Sequence, residues 1–137
     1  MQDPVALGLP HRAPFLFVDS VEEAHAGESC TARKTFQADE PFFRGHFPGD
    51  PLVPGVILAE ALAQTAGLAA GRPGSSFRLS AIRGMKFPSA ARPGDTIALL
   101  ARKVAVVGLL WQWEVVAKVG ERVVAEGVVV LNEVATV

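Results

Sequence analysis

The sequence predicts an α+β fold in which a long antiparallel sheet wraps around one buried helix. Three observations predict it. A single Ala/Leu-rich run, VILAEALAQTAGLAA at 56–70, has Pro54 and Gly55 at its entrance and GRPG at 71–74 to stop it, the punctuation of one helix. From residue 77 onward the pattern turns into Val-rich runs, TIALLARKVAVVG, LLWQWEVVAKVG and ERVVAEGVVVLNEV, divided by Gly108 and by Gly120 with its neighbours, as antiparallel strands with short connections are. The 137 residues are 50% hydrophobic and 20% charged, which suits one core and excludes wholesale disorder. With no repeat, linker or low-complexity tract, residues 1–137 read as one domain.

Taken in order, the first 40 residues read as irregular chain plus strands. The apolar run Phe15–Val18 fits a short buried strand or a turn of helix, and polar turn residues follow it. Gly27-Glu28 makes a hairpin turn ahead of a modest strand over Thr31–Phe36. Residues 41–55, PFFRGHFPGDPLVPG, hold four prolines and three glycines, which excludes a regular helix or central strand and leaves an ordered loop. The helix over 56–70 has no charged face apart from Glu60, and a helix apolar all round is enclosed by other structure, here a sheet covering its whole circumference. Trp111, Trp113 and Val115 alternate with Gln112 and Glu114, so one face of that strand points to a core.

Several classes of function lose support at once. Glu60, Gln64 and Arg72 interrupt the best apolar segment, around 52–70, short of the roughly 18 residues a membrane span needs. MQDPVALGLPHR lacks a basic start and an apolar stretch, so no secretory signal is expected and the cytoplasm is the expected location. The one cysteine, Cys30, makes neither an internal disulfide nor a thiol-rich zinc site and reads as a small core residue. Net charge is -1, yet residues 72–103 carry seven basic side chains (Arg72, Arg78, Arg83, Lys86, Arg92, Arg102, Lys103) against one acidic. An anionic partner and a solvated sheet face both fit that segment. Nucleic acid does not: aromatic residues are 7% and no binding motif is present. No metal-ligand spacing, nucleophile elbow, phosphate loop or dinucleotide fingerprint occurs either.

Chemistry concentrates in one segment. Glu60, among Leu58, Ala59, Ala61 and Leu62, loses hydration if the helix is enclosed, which favours the neutral acid; if this face reaches solvent, Glu60 merely solubilises it. Gln64 lies four residues on, over the same face, and can hydrogen-bond that carboxyl. His46 is either an imidazole aimed by a rigid Pro/Gly loop or an ordinary surface histidine. His11 and His25 have no ligand-spaced partner in sequence and read as structural or solvent-exposed. Gly55 starts the helix and offers an unpaired N–H at the positive end of its dipole, a donor for a carbonyl that becomes an enolate.

At these residues the sequence resembles the FabZ-type (3R)-hydroxyacyl acyl-carrier-protein dehydratases of the hot-dog fold superfamily. The resemblance rests on LPHRAPFLFVD at 9–19, EPFFRGHFPGDPLVPGVILAEALAQTAG at 40–67 and KFPSAARPGD at 86–95. It implies a hot-dog fold, His46 as catalytic base, Glu60 as its acidic partner, Gly55 as the oxyanion amide and Gln64 as the residue orienting Glu60. The implied reaction is loss of water from a 3-hydroxyacyl thioester to give the trans-2-enoyl thioester, with no metal or redox cofactor. Glu rather than Asp at 60 is similar to the branch that dehydrates without moving the double bond. The resemblance further implies a homodimer, or a trimer of dimers, in which His and Glu of one site come from two protomers. The implied partner is an acidic acyl carrier protein that presents the chain on a phosphopantetheine arm. The chain departs from the family in having no Tyr, with Ala13 where one commonly stands, and in placing Pro88 and Ser89 where a basic pair usually follows the Lys-Phe motif. The second departure leaves coenzyme A esters open as substrates. A hot-dog acyl-thioesterase and a non-catalytic acyl-binding subunit are the alternative readings.

Overall fold

The structure, a computed structural model, describes residues 1–72 and 74–135. Six strands, β1 (Ser20–His25), β2 (Ser29–Thr35), β3 (Ser75–Lys86), β4 (Thr96–Val107), β5 (Leu110–Val119) and β6 (Arg122–Ala135), form one sheet in the order β1-β2-β4-β5-β6-β3. Every pairing is antiparallel. The single α-helix among the described residues, α1 (Gly55–Ala70), lies across β2, β4, β5 and β6 and only grazes the terminal strands. This is the hot-dog arrangement.

Local chemistry explains the strongest elements. Gly108 and Gly120 take positive φ of 61° and 60° at the first positions of the two-residue loops joining β4 to β5 and β5 to β6, where a side chain would be strained. Along β5 the side chains alternate as expected, and Trp111, Trp113, Val115 and Ala117 point inward beside Leu99 and Ala101 of β4 and Val129 and Leu131 of β6. Against this face α1 buries Leu58, Leu62, Ala66 and Ala69. Its small alanines let the helix approach the sheet closely. Cutting Leu62 to Ala would cost about 2–5 kcal/mol by the usual loss for a fully buried leucine. The helix stops where Gly71 adopts the left-handed conformation, φ 56° and ψ 38°; Pro73 of the expected GRPG stop lies outside the described residues, as do Thr136 and Val137.

Four expectations change. Phe15–Val18 is neither strand nor helix, although Phe17 and Val18 are buried. A side chain stands in for a neighbouring strand: the Phe17 N–H donates to Gln64 Oε1 at 2.9 Å and Gln64 Nε2 donates to the Phe15 carbonyl at 3.1 Å. The polar residues after it form β1, an edge strand in which only Val21 is buried, so its composition resembles a turn. Residues 75–86, outside the Val-rich runs, form β3 at the other edge, where Arg78, Ser80 and Arg83 stand exposed. The helix is not covered all round: Val56 is 76% exposed, and Glu60 and Gly67 are partly exposed on the same stripe. The sheet closes over the middle of α1 and leaves that stripe open. Within 41–55 the ordered loop contains one 3-10 turn, Pro41–Arg44.

Candidate active site

The loop before α1 is pinned at several points. Phe43 and Val53 are buried, the Val53 N–H donates to the Ala91 carbonyl at 2.8 Å, and Arg92 pairs with Asp50 at 2.6 Å. This holds His46, half-buried, in one orientation. The Leu52 N–H donates to the His46 carbonyl at 2.9 Å, and His46 Nδ1 lies 3.0 Å from the Leu52 carbonyl. A carbonyl can only accept, so Nδ1 carries a proton, and in the neutral ring Nε2 is left with the lone pair, the form of imidazole that acts as a base. His46 and Gly55 line one cavity of about 360 Å³ together with Leu58, Phe87, Ser89 and Val124.

Gly55 is the first residue of α1, and no side chain caps that end. Among the described residues its N–H finds no acceptor, whereas the N–H groups of Ile57 and Leu58 both reach the Pro54 carbonyl. The absence of a side chain matters at this position. A Cβ on residue 55 would stand 3.0 Å from two carbons of the Phe87 ring, so glycine is what lets that ring close over the helix start.

Glu60 sits in a different cluster. Its Oε2 accepts from Gln64 Nε2 at 3.1 Å, the hydrogen bond expected of that spacing. Gln64 is 2% exposed and fixed at both ends of its amide by the backbone of Phe15 and Phe17. The same Oε2 lies 3.6 Å from Nε2 of His11. Beside this cluster a cavity of about 440 Å³ is lined by His11, Gln64, Leu7, Leu9, Leu68 and Phe77, a size within the usual range of about 300–1,000 Å³ for small-molecule sites. A larger hollow of about 610 Å³, touched by Arg83, Leu100, Arg102 and Glu114, holds none of the candidate residues.

The segment 46–60 therefore does not assemble one site within one chain. His46 and Gly55 share a cavity that Glu60 does not line, and no hydrogen bond or ion pair among the described residues joins His46 to Glu60. Helix geometry gives the reason: Glu60 is five residues past Gly55, about 140° further round the helix. His25 is exposed, as expected, and pairs with Glu23 two residues before it at 2.7 Å, a partner the sequence reading did not give it. His11 differs from its sequence reading, because folding brings a carboxylate to it. His11 lies inside the motif at 9–19, and that position is the signal the sequence offers for it.

The basic segment is largely neutralised. Arg72 pairs with Glu133, Arg92 with Asp50, Arg102 with Glu114 and Lys103 with Glu28. Arg78, Arg83 and Lys86, all on β3, have no ion-pair partner among the described residues. Burial pushes the Cys30 thiol up to about 11, so at neutral pH it is a packed, unreactive group. No cluster of three His, Cys, Asp or Glu among the described residues is placed to hold a metal ion, and no helix there is long and apolar enough to cross a membrane.

Known proteins resemble the chain over nearly its whole length. The family model described as a FabA-like domain matches residues 9–132. A protein of Thiobacillus denitrificans named 3-hydroxyacyl-[acyl-carrier-protein] dehydratase FabZ is 40% identical over 125 residues, 86% of each chain. A protein of the same name from Ruminiclostridium cellulolyticum is 42% identical over 123 residues, 87% of each chain. Among solved structures, the dehydratase heterocomplex ApeI:P from Xenorhabdus doucetiae superposes with a TM-score of 0.82 at 18% identity, covering 99% of this chain and 94% of that one. The fluoroacetyl-CoA thioesterase FlK superposes with a TM-score of 0.67 at 18% identity, covering 83% and 90%. At such identities the structural likeness speaks for the fold alone.

Proposed function

The chain belongs to the FabA-like domain family, and on that footing we propose that it is a hydro-lyase, a 3-hydroxyacyl acyl-carrier-protein dehydratase of fatty acid biosynthesis or a related acyl-chain pathway. It removes water from a (3R)-hydroxyacyl thioester and yields the trans-2-enoyl thioester. The observation that carries the assignment of the site is the pairing of a tied Nδ1 on His46 with an unpaired Gly55 N–H at one cavity. An α-proton beside a thioester is far too weakly acidic for imidazole alone. The Gly55 amide and the positive end of α1, aimed at the thioester oxygen, lower the energy of the enolate while His46 Nε2 takes the proton. Glu60 gives its proton to the hydroxyl on C3; the C–O bond breaks, the C2–C3 double bond forms and water leaves. The proton taken by His46 then returns to the carboxylate through solvent. Acid–base steps of this kind contribute about 10²–10⁴ in rate and an oxyanion donor about 10²–10³.

Because His46 and Glu60 do not meet within one chain, the site is completed by a second copy, with Glu60 of one protomer facing His46 of the other. Three features support a homodimer. The stripe carrying Val56, Glu60 and Gly67 is open, the outer edge of β3 has no neighbouring strand among the described residues, and Leu79 and Ile82 on β3 are 40% and 46% exposed. The partner that brings the substrate is an acidic acyl carrier protein with a phosphopantetheine arm, and Arg78, Arg83 and Lys86, the cations of the basic segment without an ion-pair partner among the described residues, are placed to meet it. Side chains of an edge strand project from the sheet faces, so they stay available when its backbone pairs.

The test is ultraviolet absorbance of the conjugated enoyl thioester, followed with 3-hydroxyacyl chains of several lengths on carrier protein and on coenzyme A. Enoyl formation is expected, faster from the carrier. Release of free thiol from saturated acyl thioesters without enoyl formation would overturn the reading in favour of a thioesterase, and binding without turnover would make the chain an acyl-binding subunit.

A further inference from the structure

We propose that His11 is a positioning residue for Glu60, acting with Gln64 to decide which carboxyl oxygen holds the transferable proton. The proposal rests on the reading of Glu60 as the catalytic acid. Gln64 cannot turn its amide round, because its Oε1 is committed to the Phe17 N–H and its Nε2 to the Phe15 carbonyl. Its N–H groups therefore face Glu60 Oε2, and a proton on that oxygen would meet another proton. The neutral acid must carry its proton on Oε1, which has no partner among the described residues.

His11 completes this arrangement from the other side. Its Nε2 faces the same Oε2 at 3.6 Å, while its Nδ1 is buried with no partner among the described residues. With the proton on Nε2, the ring presents a donor to an acceptor and buries only a lone pair. The opposite tautomer would bury an N–H with nowhere to donate and set two lone pairs against each other, the rarer outcome for a buried group. The ring is held for this contact. It stacks against Phe15 at 6.4 Å, and Arg12 Nη1 ties down the carbonyls of Leu9 and His11 at 2.8 Å each. An approach of about 0.6 Å converts the separation into an ordinary N–H···O bond, the kind of tightening that catalytic contacts undergo when substrate binds.

The value of the contact grows during the reaction. As Oε1 gives up its proton, negative charge spreads to Oε2, where the N–H groups of His11 and Gln64 receive it. An interaction that strengthens toward the transition state raises kcat and leaves KM nearly alone.

Two substitutions separate this role from mere packing. In His11→Gln the amide nitrogen reaches the position of Nε2; in His11→Asn it reaches only that of Nδ1 and leaves Oε2 without its second donor. His11→Asn is expected to lower kcat about ten- to hundredfold with KM within about twofold, and His11→Gln to recover most of kcat. Urea midpoints show that each variant is folded, and His11→Phe, which keeps the stack on Phe15 without an N–H, replaces His11→Asn should that variant not fold. Equal losses in both variants, a change confined to KM, or wild-type turnover in His11→Asn would overturn the proposal. Glu60→Gln is measured beside them. If Glu60→Gln turns over like the wild type, the assignment of the acid itself fails. If it is inactive while His11→Asn is unaffected, only the role of His11 falls.

Discussion

Replacing Gln64 by Met keeps the length and nearly the volume of the side chain and removes three hydrogen bonds at once. The consequences for the three partners differ. The Phe17 N–H is buried, so losing Gln64 Oε1 leaves a donor with neither water nor protein, a cost of about 1–3 kcal/mol. Phe15 is 51% exposed, and water takes over its carbonyl at little cost. Glu60, also reached by water, loses its orientation rather than its solvation. The thioether gains roughly 1 kcal/mol from its apolar burial, which offsets part of the first loss. The net expectation is a destabilisation of up to about 2 kcal/mol, a fall in Tm of up to roughly 8 °C for a domain of this size. Urea unfolding at fixed protein concentration measures it, as a lower midpoint with an unchanged slope. A second effect belongs to the site: well below Tm, kcat should fall by more than the folded fraction explains. A variant that is equally stable and fully active would refute the idea that this amide replaces a strand partner and anchors the acid.

Other predictions reach the rest of the molecule. A Cβ on Gly127 would stand 2.8 Å from Met85 Cα and 3.1 Å from the Arg83 carbonyl, both backbone, so Gly127→Ala must push β3 off β6; it should cost about 1–3 kcal/mol in the same urea assay, and an unchanged midpoint would contradict the close approach. The Cys30 thiol, raised to about 11 by burial, should ignore a thiol reagent at pH 7 in the native protein and react once urea unfolds it; rapid native labelling would show the site is open. The Ser75 hydroxyl, together with Arg72 and Trp111, holds the Glu133 carboxyl below its ordinary range. Its stabilisation is therefore present above the unfolded value of about 4.3 and lost as pH falls through the folded one. The Tm gap between wild type and Glu133→Gln should be widest near neutral pH and shrink below about pH 4; a gap constant from pH 7 to pH 3 would contradict it.

What was legible in the sequence was whatever local pattern dictates. The helix over 56–70 and the alternation through Trp111, Trp113 and Val115 follow from periodicity, and the glycines at 108 and 120 mark the turns. The edge strands escaped, because a strand with one neighbour and mostly exposed side chains reads as polar chain, as β1 does, or lacks alternation, as β3 does with its bulge around Gly84. Phe15–Val18 escaped for another reason: its hydrogen-bonding partner is a side chain 47 residues away from Phe17. At the candidate site, the tied ring of His46, the helix start at Gly55 and the Gln64–Glu60 hydrogen bond were readable from a rigid loop, a Pro-Gly entrance and an i, i+4 spacing. His11 was not, since its carboxylate comes from a distant helix. Nor does sequence proximity reveal direction. Glu60 follows His46 closely along the chain and still lines no part of its cavity, which is why the proposed site takes one of the two from a second copy.

That claim of a shared site is tested most directly by mixing two inactive variants. His46→Ala and Glu60→Gln are each expected to lose enoyl formation almost entirely. Co-refolded in equal amounts, half of the dimers should combine one chain of each kind, and such a dimer holds one site with both groups intact and one with neither. Activity should therefore return to about one quarter of wild type. If mixed dimers form, shown by a tag on one variant carrying the other through purification, and enoyl formation stays at the level of the single variants, His46 and Glu60 do not act across two protomers.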